Sequence, residues 1–316
     1  MYSFLKLVRF PNLLIVAATQ YVMRYLIIYP MLQVNGFELQ LDNFSFFLLV
    51  SATICITAAG YVINDYFDTK TDLLNRPREV IVGKKISRRT AMTFHIVLNI
   101  LGVLLGTYVS FVIGVPMLAF IFLLTTGILW FYSTTYKRQF FIGNFIVAVL
   151  TAMVPLMVVL FEIPLLNKAY GLIMLRNNAS FLYIFGWVGG FAYFAFFMTL
   201  IREIIKDTED FEGDKAFGLN TLPIALGVKK TKMILYVLIN FVIISLIYIN
   251  VTYLKDNTSL IYMLLTIIFP LVFLQYKLYN AHKQKHYHVA SNLTKFIMLF
   301  GILYAVVADL IIHSTY

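Results

Sequence analysis

The chain has 316 residues, of which 61% are apolar, 16% aromatic and only 13% charged; a soluble domain carries nearer a quarter of charged residues, so this composition excludes one. Its 25 Lys and Arg against 15 Asp and Glu give a net charge of +10, which points to nucleic acid only if topology does not explain where the basic residues sit. A single cysteine, Cys55, excludes a disulfide framework and a Cys-rich metal or iron–sulfur site.

Uninterrupted apolar runs long enough to cross about 30 Å of hydrocarbon, roughly 20 residues each as helix, recur along the whole chain. Nine are predicted, near 11–33, 43–64, 91–111, 114–134, 141–161, 181–201, 233–253, 258–279 and 293–313. The runs do not alternate as barrel strands would. The predicted fold class is therefore all-α, a polytopic bundle of nine transmembrane helices forming one domain over 1–316.

The N-terminal segment and the loops after the even-numbered spans hold twenty Lys and Arg, Arg76 and Arg78 among them. The opposite loops hold only Lys168, Arg176 and Lys255. Basic residues mark cytoplasmic loops, so the N-terminus and the even loops are expected in the cytoplasm and Tyr316 outside, in the cell's inner membrane. The positive charge is then topological, and no nucleic-acid partner is expected.

In chain order, the first unusual residue is Arg24, roughly 18 Å along the first span. An intramembrane Arg is a binding candidate by default, here for an acceptor phosphate or carboxylate; the alternative is a structural pair with Asp309, Glu162 or a loop carboxylate. At the end of the second span stands Asn64-Asp65-Tyr66-Phe67-Asp68-Thr69-Lys70-Thr71-Asp72, followed by Asn75-Arg76-Pro77. Asp65, Asp68 and Asp72 lie at i, i+3 and i+7, one face of a helix, and Asn64 stands four residues before Asp68. In the third span, Gly102-x-x-x-Gly106 permits close helix contact within the bundle. After the fourth, Tyr132 leads to Lys137-Arg138 and then Gly143-Asn144.

The sixth span ends in Arg202-Glu203-Ile204-Ile205-Lys206-Asp207-Thr208-Glu209-Asp210-Phe211-Glu212-Gly213-Asp214, in which Asp207, Asp210 and Asp214 repeat the first spacing. Acidic residues at helix C-termini oppose the helix dipole and repel one another, so something positive must compensate. Magnesium takes oxygen ligands and is commonly held by one or two carboxylates plus substrate phosphates, which suits two carboxylate ridges serving a diphosphate. Arg202, Lys206, Lys137 and Arg138 are the cations expected beside it. Solvated helix ends with ordinary boundary charges are the competing reading, and two identical spacings in a chain poor in charge weigh against it. His282, His286 and His288, beside Lys283 and Lys285, read as a solvated basic loop, since no Glu accompanies them in a zinc-enzyme pattern.

Asn64-Asp65-x-x-Asp68-x-x-x-Asp72 resembles the first aspartate-rich motif of the UbiA-type intramembrane prenyltransferases. Asp207 through Lys215, with the trailing Asn220-Thr221-Leu222-Pro223, is similar to their second motif, and Tyr132 through Asn144 to their basic segment. The resemblance implies a UbiA-like bundle with motifs at 64–77 and 202–223. It also implies magnesium-dependent transfer of a prenyl chain from an allylic diphosphate to a lipid-like or aromatic acceptor. On this reading Asp65, Asp68, Asp72, Asp207, Asp210 and Asp214 are catalytic. Asn64, Asp68, Asp72, Asp207, Asp210 and Asp214 meet the metal, while Asn64, Lys137, Arg138, Arg202, Lys206, Arg24 and Tyr132 bind substrate. The Arg202–Asp207 segment looks most like the digeranylgeranylglyceryl phosphate synthases, whose acceptor is (S)-3-O-geranylgeranylglyceryl phosphate. An Asp-x-Glu-Gly-Asp run shared with homogentisate-type enzymes keeps an aromatic acceptor open, as in 4-hydroxybenzoate or homogentisate prenylation. A secondary transporter is the rival of another class; its site is expected near the midplane on broken helices, whereas both ridges here lie at span ends.

Overall fold

The computed structural model describes residues 2–75, 77 and 80–315, without the side chains of Asn75 and Thr315. Arg76 and Arg78, counted above among the loop cations, and Tyr316 lie outside the described residues. Among those described, nine helices are long and apolar enough to span a membrane: Phe10–Val34, Asn43–Leu74, Arg88–Val112, Pro116–Thr134, Ile142–Arg176, Leu182–Glu209, Val228–Leu254, Asn257–Tyr279 and Gln284–Ser314. The only strand-like feature among them is one isolated bridge, Val82 to Ile86. The protein is an integral, multi-pass, all-α membrane protein.

Several helices outrun the apolar stretches that announce them. The second continues to Asn75 rather than ending near 64, because no Pro or Gly stands between Asn64 and Pro77 and cations meet its terminal carboxylates. Its start is fixed by Asp42, whose carboxylate accepts from the backbone N–H of Phe44 at 3.0 Å and Ser45 at 2.9 Å. The hydrogen bonds from Ser45 chiefly hold Asp42 below the usual carboxylate range. The fifth span runs on to Arg176 with Pro155 and Pro164 inside it. The ninth starts at Gln284, nine residues before its apolar run, so His286 and His288 are helical rather than part of a loop.

In the first and eighth spans a wider π turn, Met23–Ile28 and Leu264–Ile268, immediately precedes Tyr29-Pro30 and Phe269-Pro270. A proline lacks the N–H for the i−4 carbonyl and its ring crowds that carbonyl; the wider turn relieves both while the helix continues.

The chain resolves into two compact units, residues 1–137 with 154–188 and residues 138–153 with 189–316. In the first, Gly102 lets the third span approach the second so closely that a Cβ there would lie 2.6 Å from Ile56 Cγ1; at Gly106 it would lie 2.4 Å from the Phe122 ring. The small-residue pair thus serves contact within the bundle, as its spacing suggested. Leu7, Val8 and Leu13 pack with Ala58, Val62, Ile81 and Val82 into an apolar cluster under the acidic end of the second span.

In the second unit, Gly301 of the ninth span receives the Phe194 ring, and a Cβ at Gly301 would stand 2.0 Å from Phe194 Cε1. Gly301→Ala is therefore expected to destabilise the protein by about 1–3 kcal/mol through overpacking, read as a lower midpoint of thermal unfolding in detergent; Gly301→Ala/Phe194→Leu should recover part of the loss.

Candidate functional site

The first acidic ridge is a continuous helix, so Asn64, Asp68 and Asp72 share one side of it as their spacing requires. Lys137, from a short 3-10 turn over Tyr136–Arg138, reaches this side. Its ammonium bonds Asp68 and donates to Asn64 Oδ1 at 3.3 Å. Burial alone would lower the Lys137 pKa; the Asp68 carboxylate, with Tyr132 and Asp72, reverses that and holds it above the ordinary lysine value. Lys137 therefore stays charged across the whole working pH range. Tyr132 is in its electrostatic neighbourhood. Asp72 has no directly hydrogen-bonded partner among the described side chains.

Asp65 is held separately. Arg9 donates from Nη2 to Asp65 Oδ1 at 3.0 Å, and its guanidinium lies 4.8 Å from the centroid of the Tyr61 ring. Asn12 in turn donates to the Tyr61 hydroxyl at 3.3 Å. Arg9 sits in the left-handed conformation, φ 52°, at the break between a short N-terminal helix, Tyr2–Leu7, and the first span. Sequence reasoning counted Arg9 only as a topological charge. The 56 residues between it and Asp65 leave no local spacing that could reveal the pair.

The second ridge is built differently. Its helix ends at Glu209, and a new short helix, Phe211–Ala216, begins after Asp210. Asp210 has left helical geometry at φ −91°, ψ 10°, so the repeated spacing does not produce a second continuous face. Asp207 accepts from Asn144 Nδ2 at 2.8 Å. Asn144, nearly buried, is a further residue that spacing alone did not single out as part of the site. Arg202 and Lys206 converge on Glu203, at 2.7 and 3.4 Å, so this glutamate orients the two cations expected to meet substrate. Asp214 is buried. The backbone N–H of Asn220 donates to the Arg138 carbonyl at 3.1 Å, tying the trailing signature to the basic segment, while the Arg138 side chain is exposed. His288, on the ninth helix, contacts the buried Glu209 at 2.9 Å.

Arg24 is placed elsewhere. It is 2% exposed, pairs with the fully buried Glu162 at 3.3 Å, and donates to the Leu41 carbonyl and to Asn43 Oδ1 at 3.3 Å. Glu162 also accepts from the backbone of Gln40 and Leu41. This is the structural pair that the sequence left as the alternative.

Among the described residues no three His, Cys, Asp or Glu side chains converge into a ready-made metal cage. Magnesium does not need one, since it keeps several waters and commonly binds one or two carboxylates with substrate phosphates. The donors fit it. They are hard oxygens, Asp72 has no direct partner among the described residues, and the hydrogen-bond partner of Asp207 is a neutral amide.

Residues 31–301 match the UbiA prenyltransferase family. A digeranylgeranylglyceryl phosphate synthase from Methanosphaera stadtmanae is 32% identical over 263 residues, 82% of this chain and 86% of the relative. A solved structure of a digeranylgeranylglyceryl phosphate synthase in membranes superimposes with a TM-score of 0.60 at 23% identity, over 96% of this chain and 98% of that one. A UbiA homologue from Archaeoglobus fulgidus, bound to DMAPP and Mg2+, gives 0.54 at 17% identity over 96% and 99%.

Proposed function

The chain belongs to the UbiA prenyltransferase family, and from that premise we propose that it transfers a geranylgeranyl group, with magnesium, from its diphosphate to the free hydroxyl of geranylgeranylglyceryl phosphate. The observation that carries this reading is the pairing of each acidic ridge with its own positive or amide partners: Lys137 on Asn64 and Asp68, and Asn144 on Asp207 beside the Arg202–Glu203–Lys206 group. The resemblance of the Arg202–Asp207 segment and the name of the Methanosphaera relative support the acceptor. The family assignment leaves no role for the transporter reading.

In the reaction the bond from the allylic carbon to the diphosphate oxygen breaks with its electron pair, and the acceptor hydroxyl oxygen bonds that carbon and gives up its proton. Magnesium, when bound, supplies positive charge to the leaving diphosphate. The residues that would hold it are Asn64, Asp68 and Asp72 on the first ridge and Asp207, Asp210 and Asp214 on the second. Lys137, held protonated by its neighbours, adds a fixed charge, and Arg202, Lys206 and Arg138 are further cations for phosphate. Asp65, clamped by Arg9, sets the position of the ridge. The catalytic domain is read as the whole chain, 1–316. The excess of Lys and Arg in the even loops supports a cytoplasmic N-terminus and cytoplasmic acidic ends in the cell's inner membrane.

The test is a transfer assay on purified protein in detergent with labelled geranylgeranyl diphosphate, offering geranylgeranylglyceryl phosphate, 4-hydroxybenzoate or homogentisate separately. Product is expected with the glycerol phosphate, abolished by EDTA and restored by magnesium. Product with an aromatic acid alone would replace the acceptor. Failure to bind the diphosphate at all would overturn the transferase reading.

A further inference from the structure

A groove lies between the eighth and ninth spans, wholly within the second unit. It encloses about 320 Å³ and is lined by Phe273, Lys277, Val289, Asn292, Leu293 and Phe296. A second cavity of about 270 Å³ shares Lys277 and Val289 and adds Asn280 and His286. The two adjoin at these shared residues, the first with an apolar lining that includes Phe273 and Phe296 and the second with Asn280 and His286.

The helical periodicities explain why the groove exists. Phe273 and Lys277 are four residues apart on the eighth span. Val289, Asn292, Leu293 and Phe296 follow an i, i+3, i+4, i+7 stripe on the ninth. Phe273, Val289 and Phe296 are exposed, as a lipid-facing stripe should be. Around Lys277 the balance of charge is one-sided. Lys277 lies over the Phe273 ring at 4.9 Å, and among the described residues no carboxylate lines either cavity. Lys283, Lys285 and His282 stand in the adjoining segment. The acid that approaches this region, Glu209, is engaged by His288. A cation on an apolar groove at the end of a transmembrane helix has one natural complement, a phosphate carried on a hydrocarbon chain.

We propose that this groove is a binding site for an anionic phospholipid of the surrounding membrane. Its hydrocarbon chain lies along Phe273, Val289, Leu293 and Phe296, and its phosphate meets Lys277, the residue common to both cavities. Its lining shares no residue with either acidic ridge, and the proposal does not depend on the transferase reading.

Delipidated full-length protein in a neutral maltoside is mixed with phosphatidylglycerol, with phosphatidylcholine of the same chains, or with water-soluble glycerol phosphate, and retained ligand is counted by native mass spectrometry. One phosphatidylglycerol is expected to be retained about fivefold more tightly than phosphatidylcholine, the value of roughly one interfacial Lys, and glycerol phosphate should not be retained. Lys277→Ala should erase that preference. Val289→Trp, which keeps every charge but fills the groove, should lower retention of both lipids. Lys255→Ala, at a distant helix connection, should change nothing. Equal retention of the two lipids by the unmodified protein, undiminished preference in Lys277→Ala, or unaltered binding in Val289→Trp would overturn the proposal, as would capture of glycerol phosphate in place of the lipid.

Discussion

Asp68→Asn is expected to lower prenyl transfer by about 10²- to 10³-fold, the usual cost of removing one aimed electrostatic group, while the protein remains folded. Asp68 is the acid of the first ridge that meets Lys137. It bonds Lys137, shares that ammonium with Asn64, and is only 14% exposed. Asparagine keeps its volume and a hydrogen-bonding oxygen but removes the charge, so Lys137 loses its ion-pair partner and the proposed magnesium site loses a carboxylate. Half-saturating magnesium should rise along with the loss of turnover, which a merely structural defect would not produce. Asp309→Asn is the control, because Asp309 pairs locally with His313 at 3.2 Å and should leave activity intact. Full activity in Asp68→Asn would dissociate the first ridge from the metal and the diphosphate.

The largest effect on stability is expected at Arg24 and Glu162. Both are essentially buried, so Glu162→Leu leaves a guanidinium with no carboxylate and frees the Gln40 and Leu41 backbone donors that Glu162 holds. Breaking a buried pair in this way costs about 3–5 kcal/mol, which corresponds to a fall on the order of 10 °C in the thermal midpoint. Replacing both partners, as Arg24→Met/Glu162→Leu, should be less damaging than the single change, because no charge is then stranded. If the single change unfolded at the wild-type temperature, the pair would be no more than incidental. A selective rise in acceptor KM with normal stability would return Arg24 to the substrate.

The spans were legible because a helix that crosses hydrocarbon needs about 20 apolar residues, and each of the nine runs finds its helix. Their ends were not, since apolarity stops at the membrane while helical hydrogen bonding does not. Residues 65–75 and 202–209 are charged and still helical. The first ridge could be read from spacing because its helix is continuous. The same spacing misled at the second, where the chain turns at Asp210. Contacts between residues far apart in the chain were not legible: Arg9 meets Asp65 and Asn144, named only within the basic segment, meets Asp207, and spacing predicts neither. Arg24 was conspicuous from the sequence for its depth, yet only the position of Glu162 distinguishes a binding residue from a structural one.

The Arg24–Glu162 pair also bears on how the protein enters the membrane during synthesis. Its partners are 138 residues apart, so at about 5–20 residues per second the ribosome delivers Glu162 roughly seven to twenty-eight seconds after Arg24. The first span is the least apolar of the nine, and a central Arg penalises insertion by about 2.5–3.5 kcal/mol. Its initial insertion is therefore provisional, and the arriving fifth span secures it. A nascent chain halted before Glu162 emerges should show the first helix still accessible to water-soluble labels, and one released beyond it should not.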